Sequence, residues 1–317
     1  MPSFDVAILN LPLWWPFSGV FAVAIFFIVS GFALSIGFWE TKRRSIVVGM
    51  AAGRYMRLAI PVFATCAGVS ILLNLGLILP PEARPDRFAM TFGFEPTLWH
   101  LVKFVAFDVF FDYDVTDTYA GPLWTMGFEL IGSFLVFAIL LTGRMFWPLA
   151  IGLAVGLFFS GSLYSLFVIG AVLAKCYPFI PRHTWSGVAM MGVGAYGTLY
   201  IPGWQSLILG TSLFFTGVIL CAPAQAALSS DFSQWLGKIS FPLYLVHAPM
   251  IFAVGLPIYV WAGESMLLAM SAGIAATIAS FVAALALMPA NEAAMRVSRF
   301  IGRTAIALAE GKLFPAT

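Results

Sequence analysis

Charged residues are scarce in this sequence. Asp, Glu, Lys and Arg make up 9% of the 317 residues, 61% of the residues are apolar, and the mean hydropathy is +0.97. A soluble domain carries about 25% charged residues. The shortage of charge excludes a soluble fold and predicts that lipid surrounds most of the chain. The net charge is only +2, and no basic tract carries interleaved aromatics. We therefore expect no nucleic-acid partner.

Cysteine and histidine are also rare, with three of each. Cys66, Cys176 and Cys221 lie in or at the ends of apolar runs and lack CxxC spacing. We therefore predict free thiols, no disulfide framework and no metal site. No cleavable signal peptide is visible in Met1–Pro16, which lacks a basic n-region and an A-x-A-like cleavage site.

Long apolar runs are what the sequence has in abundance. Runs such as Phe17–Phe38 are apolar on every face, whereas a β-barrel strand alternates apolar and polar residues. The sequence predicts an all-α, polytopic transmembrane helical bundle within one domain, 1–317. The nine predicted membrane helices, within 17–288, are Phe17–Trp39, Leu58–Leu79, Pro122–Leu141, Met145–Ser160, Leu163–Tyr177, Trp185–Ile201, Trp204–Cys221, Ser240–Trp261 and Leu267–Met288.

The distribution of basic residues predicts the orientation. If the loop after the first span is cytoplasmic, 13 of the 16 Lys and Arg residues lie inside and only Arg84, Arg87 and Lys103 lie outside. The segment 80–120 is then an external loop with an acidic, solvated surface, and 289–317 is a cytoplasmic tail. Within that loop, Thr97–Phe111 is expected to form an interfacial helix whose Trp99 and Phe104 dip into the lipid headgroups.

This orientation has a consequence for the N-terminus. Nine spans and a cytoplasmic C-terminus place Met1 outside the membrane, with no signal to send it there. We expect that a helix is missing ahead of Met1, through a misplaced start or a truncated chain, rather than a genuine variant with an external N-terminus.

Two candidate motifs lie in the N-terminal part. Phe26–Phe32 reads FFIVSGF, where Ser30 either bonds back to its own helix or faces a cavity, and Gly31 permits close helix packing. Arg54 and Arg57 of RYMR share one helix face. They either anchor the helix at the membrane surface or point together at an anion such as a phosphate.

Two more candidate motifs follow. In GPLWTMGFE, Glu129 is the only acidic residue inside a confident span, so the roles of proton carrier, general base and partner of a buried arginine are all open. In SFPLYLVH, Ser240, Tyr244 and His247 share one helix face. There His247 either carries a proton or has a merely structural role.

Taken together in this order, the four motifs resemble those of the acyltransferase-3 family: FFxxSGF, RxxR, WSLxxE and SYPLYLxH. Here they read FFIVSGF, RYMR, WTMGFE (Trp124–Glu129) and SFPLYLVH (Ser240–His247). The resemblance implies ten membrane helices and transfer of an acyl group, typically acetyl, from cytoplasmic acyl-CoA. It also implies a hydroxyl-bearing acceptor, such as a surface or lipid-linked glycan, in a bacterial inner membrane.

The resemblance also implies roles for individual residues. Arg54 and Arg57 would hold the CoA phosphates, and Glu129 and His247 would be the catalytic candidates in the core cavity. Four further residues would shape that cavity: Ser30, Trp124, Ser240 and Tyr244.

The sequence departs from the family at its start. In the family an extra first helix carries an Arg and, some ten residues later, a His proposed to be catalytic, whereas residues 1–16 here contain neither. We therefore expect little or no transferase activity from the 317-residue chain. Two other classes stay open: a proton-coupled transporter or flippase, which needs no CoA, and a non-catalytic structural membrane subunit.

Overall fold

The computed structural model describes residues 18–84, 92–263 and 265–310. The described residues form helices and connecting turns, without a β-strand. The predicted start of the first span at Phe17, Arg87 of the external loop and the end of the tail at 311–317 lie outside the described residues. The α-helices are α1 Gly19–Thr41, α2 Arg44–Asn74, α3 Leu98–Lys103, α4 Thr125–Leu141, α5 Phe146–Phe159, α6 Tyr164–Cys176, α7 Thr184–Tyr200, α8 Trp204–Leu220, α9 Ala222–Leu228, α10 Asp231–Met250, α11 Leu256–Ala262 and α12 Met266–Ala309.

Several helices are extended by turns of other types. Helix α3 continues through a π-helical turn, Phe104–Asp108, to Phe111. A second π-helical turn, Ile251–Gly255, joins α10 to α11, and the 3-10 turn Gly121–Trp124 precedes α4. Pro122 in that 3-10 turn has no N–H to leave unsatisfied, so it suits the start of a helix.

The described helices include five that are long and apolar enough to cross a membrane, or six if the bent pair α8 and α9 is one span. The five are Gly19–Thr41, Arg44–Asn74, Gly121–Leu141, Asp231–Ala262 and Met266–Ala309. Helices α5 to α8 contain 13 to 17 residues. Each is roughly 20 to 26 Å long, which is less than the ~30 Å hydrocarbon core. The all-helical membrane architecture agrees with the prediction, but the count of nine spans is not confirmed.

Three helices extend far beyond the predicted spans. Helix α2 begins at Arg44 rather than Leu58, α10 begins at Asp231 rather than Ser240, and α12 continues past Met288 to Ala309. The predicted limits followed charged and polar residues. A helix satisfies its own backbone hydrogen bonds, so it continues through such residues once they reach the membrane surface.

The chain divides into two compact units, and the first comprises the described part of Met1–Val47 together with Ile131–Ser230. Its helices meet backbone to backbone at glycines. A Cβ placed on Gly31 of α1 would lie 2.1 Å from the carbonyl oxygen of Phe167 in α6, and one on Gly170 would lie 2.2 Å from that of Ile28. The rings of Phe27 and Phe167 stack beside this crossing at 5.0 Å. The FFIVSGF motif therefore builds the α1–α6 contact.

Helices α7 and α8 of the first unit pack in the same way. A Cβ on Gly194 would lie 2.5 Å from the carbonyl oxygen of Gly210, and a Cβ on Gly217 would lie 2.6 Å from that of Gly187. Small residues let helices approach closely where apolar side chains gain nothing over lipid tails.

The second unit comprises the described part of Val48–Leu130 and Asp231–Thr317. Helices α2 and α12 touch where a Cβ on Gly53 would lie 2.4 Å from the Ser298 carbonyl oxygen. Its core cluster joins side chains of α2, α3, the start of α4, α10 and α12, including Leu58, Val109, Met126, Leu245 and Leu287.

The segment Leu98–Phe111 is helical as predicted, but its burial differs from the prediction. Trp99 is 75% exposed, whereas Phe104 is 1% exposed and belongs to the protein core. The prediction that Phe104 dips into the headgroups is wrong, because the segment packs on α4: a Cβ on Gly127 would lie 2.8 Å from the Phe110 carbonyl oxygen. Asp108 is also buried, so the prediction of a solvated acidic surface does not hold for this residue. Its carboxylate lies 3.2 Å from the Lys103 ammonium.

Candidate active site

Seven of the eight predicted site residues lie in the second unit, and Ser30 lies in the first. Ser30 is half-buried on α1, one residue before the glycine that contacts α6. The seven others come from three places in the sequence: the first half of α2, the 3-10 turn and first residues of α4, and the second half of α10.

Arg54 on α2 and Glu129 on α4 form a buried ion pair. A guanidinium N–H of Arg54 donates to the Glu129 carboxylate, and the two side chains are 14% and 2% exposed. Of the roles left open for Glu129, the structure shows the partner of a buried arginine. Two opposite charges at contact distance lower the cost of removing each from water.

Arg57 lies one helical turn after Arg54 and is held by a different residue. Its Nη1 donates to Oδ1 of Asn291 on α12 at 2.7 Å, and its guanidinium lies 5.7 Å from the centroid of the Phe241 ring. Asn291 is a neutral acceptor, so this hydrogen bond orients the guanidinium without neutralising its charge. The charge of Arg57 therefore stays available to an anion.

Tyr244 joins α10 to the 3-10 turn before α4. Its hydroxyl donates to the Pro122 carbonyl at 2.7 Å and lies 2.8 Å from the Thr125 hydroxyl. Thr125 is fully buried. Trp124, in the same turn, is half-buried and packs edge-on against Phe128 with 5.5 Å between ring centroids. These contacts fix the entry into α4 ahead of Glu129.

His247 has a defined tautomer when neutral. Its Nδ1 lies 2.7 Å from the Tyr244 carbonyl oxygen, which can only accept, so Nδ1 carries the hydrogen. Nε2 then holds the lone pair. Within the described part of the chain, Nε2 has no hydrogen-bond partner. The imidazole is therefore oriented and able to accept a proton.

Ser240 differs from its two companions on the SFPLYLVH motif. It is exposed, and its hydroxyl donates to the Gly237 carbonyl of its own helix at 2.8 Å. Tyr244 and His247 are both half-buried, with 5.8 Å between their ring centroids. The structure therefore brings Tyr244 and His247 together and leaves Ser240 bonded locally.

Sequence reasoning missed Asn291 and Thr125. Asn291 is 4% exposed within α12, beyond the predicted end of the last span at Met288. A polar residue two positions after Pro289, at the end of the apolar run and directly before Glu292, was the available signal. Thr125 stood inside the WTMGFE motif, where only Trp124 and Glu129 were singled out.

The external segment carries its own polar cluster. His100 Nδ1 lies 2.9 Å from the Tyr119 hydroxyl, and Nε2 lies 2.9 Å from an Asp117 carboxylate oxygen. Burial raises the pKa of Tyr119, which is fully enclosed among aromatic rings. The backbone N–H and hydroxyl of Thr116 hold the pKa of Asp114 below its ordinary value. In the part of the chain that the structure describes, no three His, Cys, Asp or Glu side chains are grouped so as to hold a metal ion.

The second unit supplies charged and polar side chains that could act on a ligand. It offers one oriented arginine, one neutralised arginine–carboxylate pair and one imidazole with an accepting nitrogen. An arginine fork binds phosphate oxygens, and an imidazole accepts a proton from a hydroxyl near neutral pH.

Comparison with known proteins supplies the family. The sequence model of a family described as an acyltransferase domain (Acyl_transf_3) matches residues 2–288 of this chain. No curated protein and no solved structure matches the chain.

Proposed function

Because this chain belongs to the acyltransferase-3 family of membrane acyltransferases, we propose that it transfers an acyl group from acyl-CoA to a hydroxyl of a glycan. The acyl group is most simply acetyl, and the acceptor a cell-surface or lipid-linked glycan in a bacterial inner membrane. The observation that carries the proposal is the imidazole of His247, oriented by one nitrogen and open at the other.

Arg57 and Arg54 are the proposed ligands of the CoA phosphates. Arg57 is oriented by Asn291, and this contact leaves its positive charge unneutralised. Arg54 lies one helical turn before Arg57 on α2, and the Glu129 carboxylate holds its guanidinium. Glu129 keeps Arg54 in place within the membrane, so its proposed role is to position that arginine.

His247 is the proposed general base. Nε2 takes the proton of the acceptor hydroxyl while the hydroxyl oxygen attacks the thioester carbonyl carbon. The tetrahedral intermediate collapses, the carbon–sulfur bond breaks, and the proton returns from His247 to the leaving CoA thiolate. The products are the acylated glycan and free CoA, and no other reactant is needed.

Transfer of a labelled acetyl group tests this proposal. The proposal expects transfer with His247 as the base, whereas the sequence comparison with the family led us to expect little or no transfer. No transfer by the unaltered protein would overturn the proposal. The purified protein in liposomes receives radiolabelled acetyl-CoA and a panel of free and lipid-linked glycans. His247→Gln is expected to lower the transfer rate at least 100-fold, since a general base contributes about 10²- to 10⁴-fold. His183→Asn is the matched control, because His183 caps α7 and asparagine also caps helices.

Equal transfer by His247→Gln and the unaltered protein would remove His247 as the base. The carrier alternative makes a different prediction, since a proton-coupled transporter needs no CoA. If the unaltered protein takes up substrate without binding CoA, and His247→Gln loses that uptake, the carrier would be favoured over the transferase.

A further inference from the structure

An aromatic cage encloses a lysine in the first unit. The Nζ of Lys175, at the end of α6, lies 4.5 Å from the ring centroid of Trp39, 4.3 Å from that of Phe146 and 4.4 Å from that of Trp147. The ring faces carry partial negative charge and attract a cation within about 6 Å. Three rings at this distance hold the ammonium in one position.

A second lysine contacts this cage, and three arginines lie close to its residues in the sequence. The Nζ of Lys42 is 4.4 Å from the same Trp39 ring, Arg43 follows in the turn after α1, and Arg44 begins α2. The Nη2 of Arg44 lies 3.6 Å from where a Cβ on Gly143 would stand, next to Arg144. We call Lys42, Arg43, Arg44, Arg144 and Lys175 the basic cluster.

The basic cluster is not neutralised by the protein. In the described residues, none of its five members forms an ion pair with a carboxylate. Lys42, Arg43, Arg44 and Arg144 are exposed, and Lys175 is half-buried. Five like charges repel one another, so a bound anion stabilises the arrangement.

The cluster stands where helices end. Helix α1 ends at Thr41, α2 begins at Arg44, α5 begins at Phe146 and α6 ends at Cys176. Turns between membrane helices lie at the level of the lipid headgroups. The cage cannot take a foreign cation, because Lys175 already fills it.

We propose that the basic cluster is a binding site for the phosphate of an anionic lipid headgroup, distinct from Arg54 and Arg57. Lys42 and Lys175 contact the headgroup phosphate from the two positions fixed by Trp39, and the three arginines surround it. Basic pockets at helix ends are suited to anionic headgroups. A CoA phosphate has the same chemistry, so the test must separate the two sources.

Native mass spectrometry of the detergent-solubilised full chain measures this directly. The protein is titrated with phosphatidylglycerol, with phosphatidylcholine and with CoA. Lys42→Gln together with Lys175→Gln is expected to weaken phosphatidylglycerol binding about thirtyfold, from the contribution of two basic residues near the surface. Arg296→Gln together with Arg303→Gln removes the same charge from exposed positions on α12 and is the matched control.

Each outcome either supports or overturns the lipid site. Selective loss of phosphatidylglycerol in the lysine variant, with phosphatidylcholine and CoA unaffected, supports the lipid site. Equal loss in the control shows general charge attraction and overturns it, as does unchanged binding in both. Loss of CoA binding alone assigns the cluster to the nucleotide and also overturns the lipid. Lys42→Gln alone, at an exposed residue, is the second variant should the double variant fail to fold; it is expected to weaken binding about fivefold.

Discussion

The two units use buried atoms in different ways. In the first unit several of the closest helix contacts reach backbone atoms, such as Gly31 against Phe167 and Gly194 against Gly210. In the second unit, backbone contacts such as Gly53 against Ser298 accompany buried polar side chains, above all Arg54 and Glu129. Glycine contacts need only the absence of a side chain, whereas a buried ion pair needs both partners present.

The two kinds of contact have different physical consequences. A helix contact at a glycine is stable once the two helices pack together, and it offers no charged group to a ligand. A buried arginine or carboxylate is costly in a membrane unless it is paired, so removal of one partner leaves an uncompensated charge. Variants in the two units should therefore fail in different ways.

The largest effect is expected at the ion pair of the second unit. Glu129→Gln leaves Arg54 charged without its carboxylate and should cost about 3 to 5 kcal/mol of stability. Thermal unfolding in detergent, followed by intrinsic fluorescence, measures the loss. Replacing both residues, as Arg54→Met with Glu129→Leu, should restore most of the stability. Equal instability of the double variant would show that the pairing is not what matters.

The next effect is expected at the α1–α6 crossing. Gly31→Ala places a methyl group 2.1 Å from the Phe167 carbonyl oxygen, and a backbone atom cannot move aside cheaply. We expect a loss of about 1 to 3 kcal/mol. Gly37→Ala, on the same helix with nothing within 4 Å of its new methyl group, should be neutral or stabilising. Similar melting temperatures for the two variants would refute the close contact.

A smaller effect is expected at Tyr244. Tyr244→Phe removes a hydroxyl that donates to Pro122 and lies beside Thr125, and should cost about 1 to 2 kcal/mol. Tyr259→Phe is the control, because Tyr259 is 41% exposed. Chemical denaturation in mixed micelles compares the two. A larger loss for the Tyr259 variant would contradict the assigned role of Tyr244.

The smallest effect is expected at the external segment. Thr116 lowers the pKa of Asp114, so the folded state is favoured by this group above its unfolded pKa. That contribution is lost as the pH falls through the folded pKa. Asp114→Asn should therefore lower the melting temperature slightly near neutral pH, and the difference should vanish in strong acid. Asp112→Asn is the control, and an identical pH profile for both variants would count against the Thr116 contacts.

The sequence predicted the helices of the first unit well. Helices α1, α5 and α6 lie close to the predicted spans, because their apolar runs end at charges and at glycine or proline turns. Helices α10 and α12 were predicted too short, because the prediction followed apolar runs. Their outer turns carry charged and polar residues and have no such run. The count of nine spans is not confirmed, because α5 to α8 are helices of 17 residues or fewer.

The sequence predicted the motifs but not the contacts between them. All four motifs were visible, and the family they indicated is confirmed. The pairing of Arg54 with Glu129 joins residues 75 positions apart, which composition and spacing cannot reveal. Asn291 was missed for the same reason, since its importance lies in a contact with Arg57 on another helix.

CoA binding tests the central claim most directly. The full chain in nanodiscs is titrated with CoA by calorimetry, and so are the Arg57→Ala and Asn291→Ala variants. Arg299→Ala, at an exposed position of α12, is the control. The account predicts measurable binding, weakened at least tenfold by Arg57→Ala, less by Asn291→Ala, and unchanged by Arg299→Ala. No binding by the unaltered protein, or equal affinity for the Arg57 variant, would contradict it.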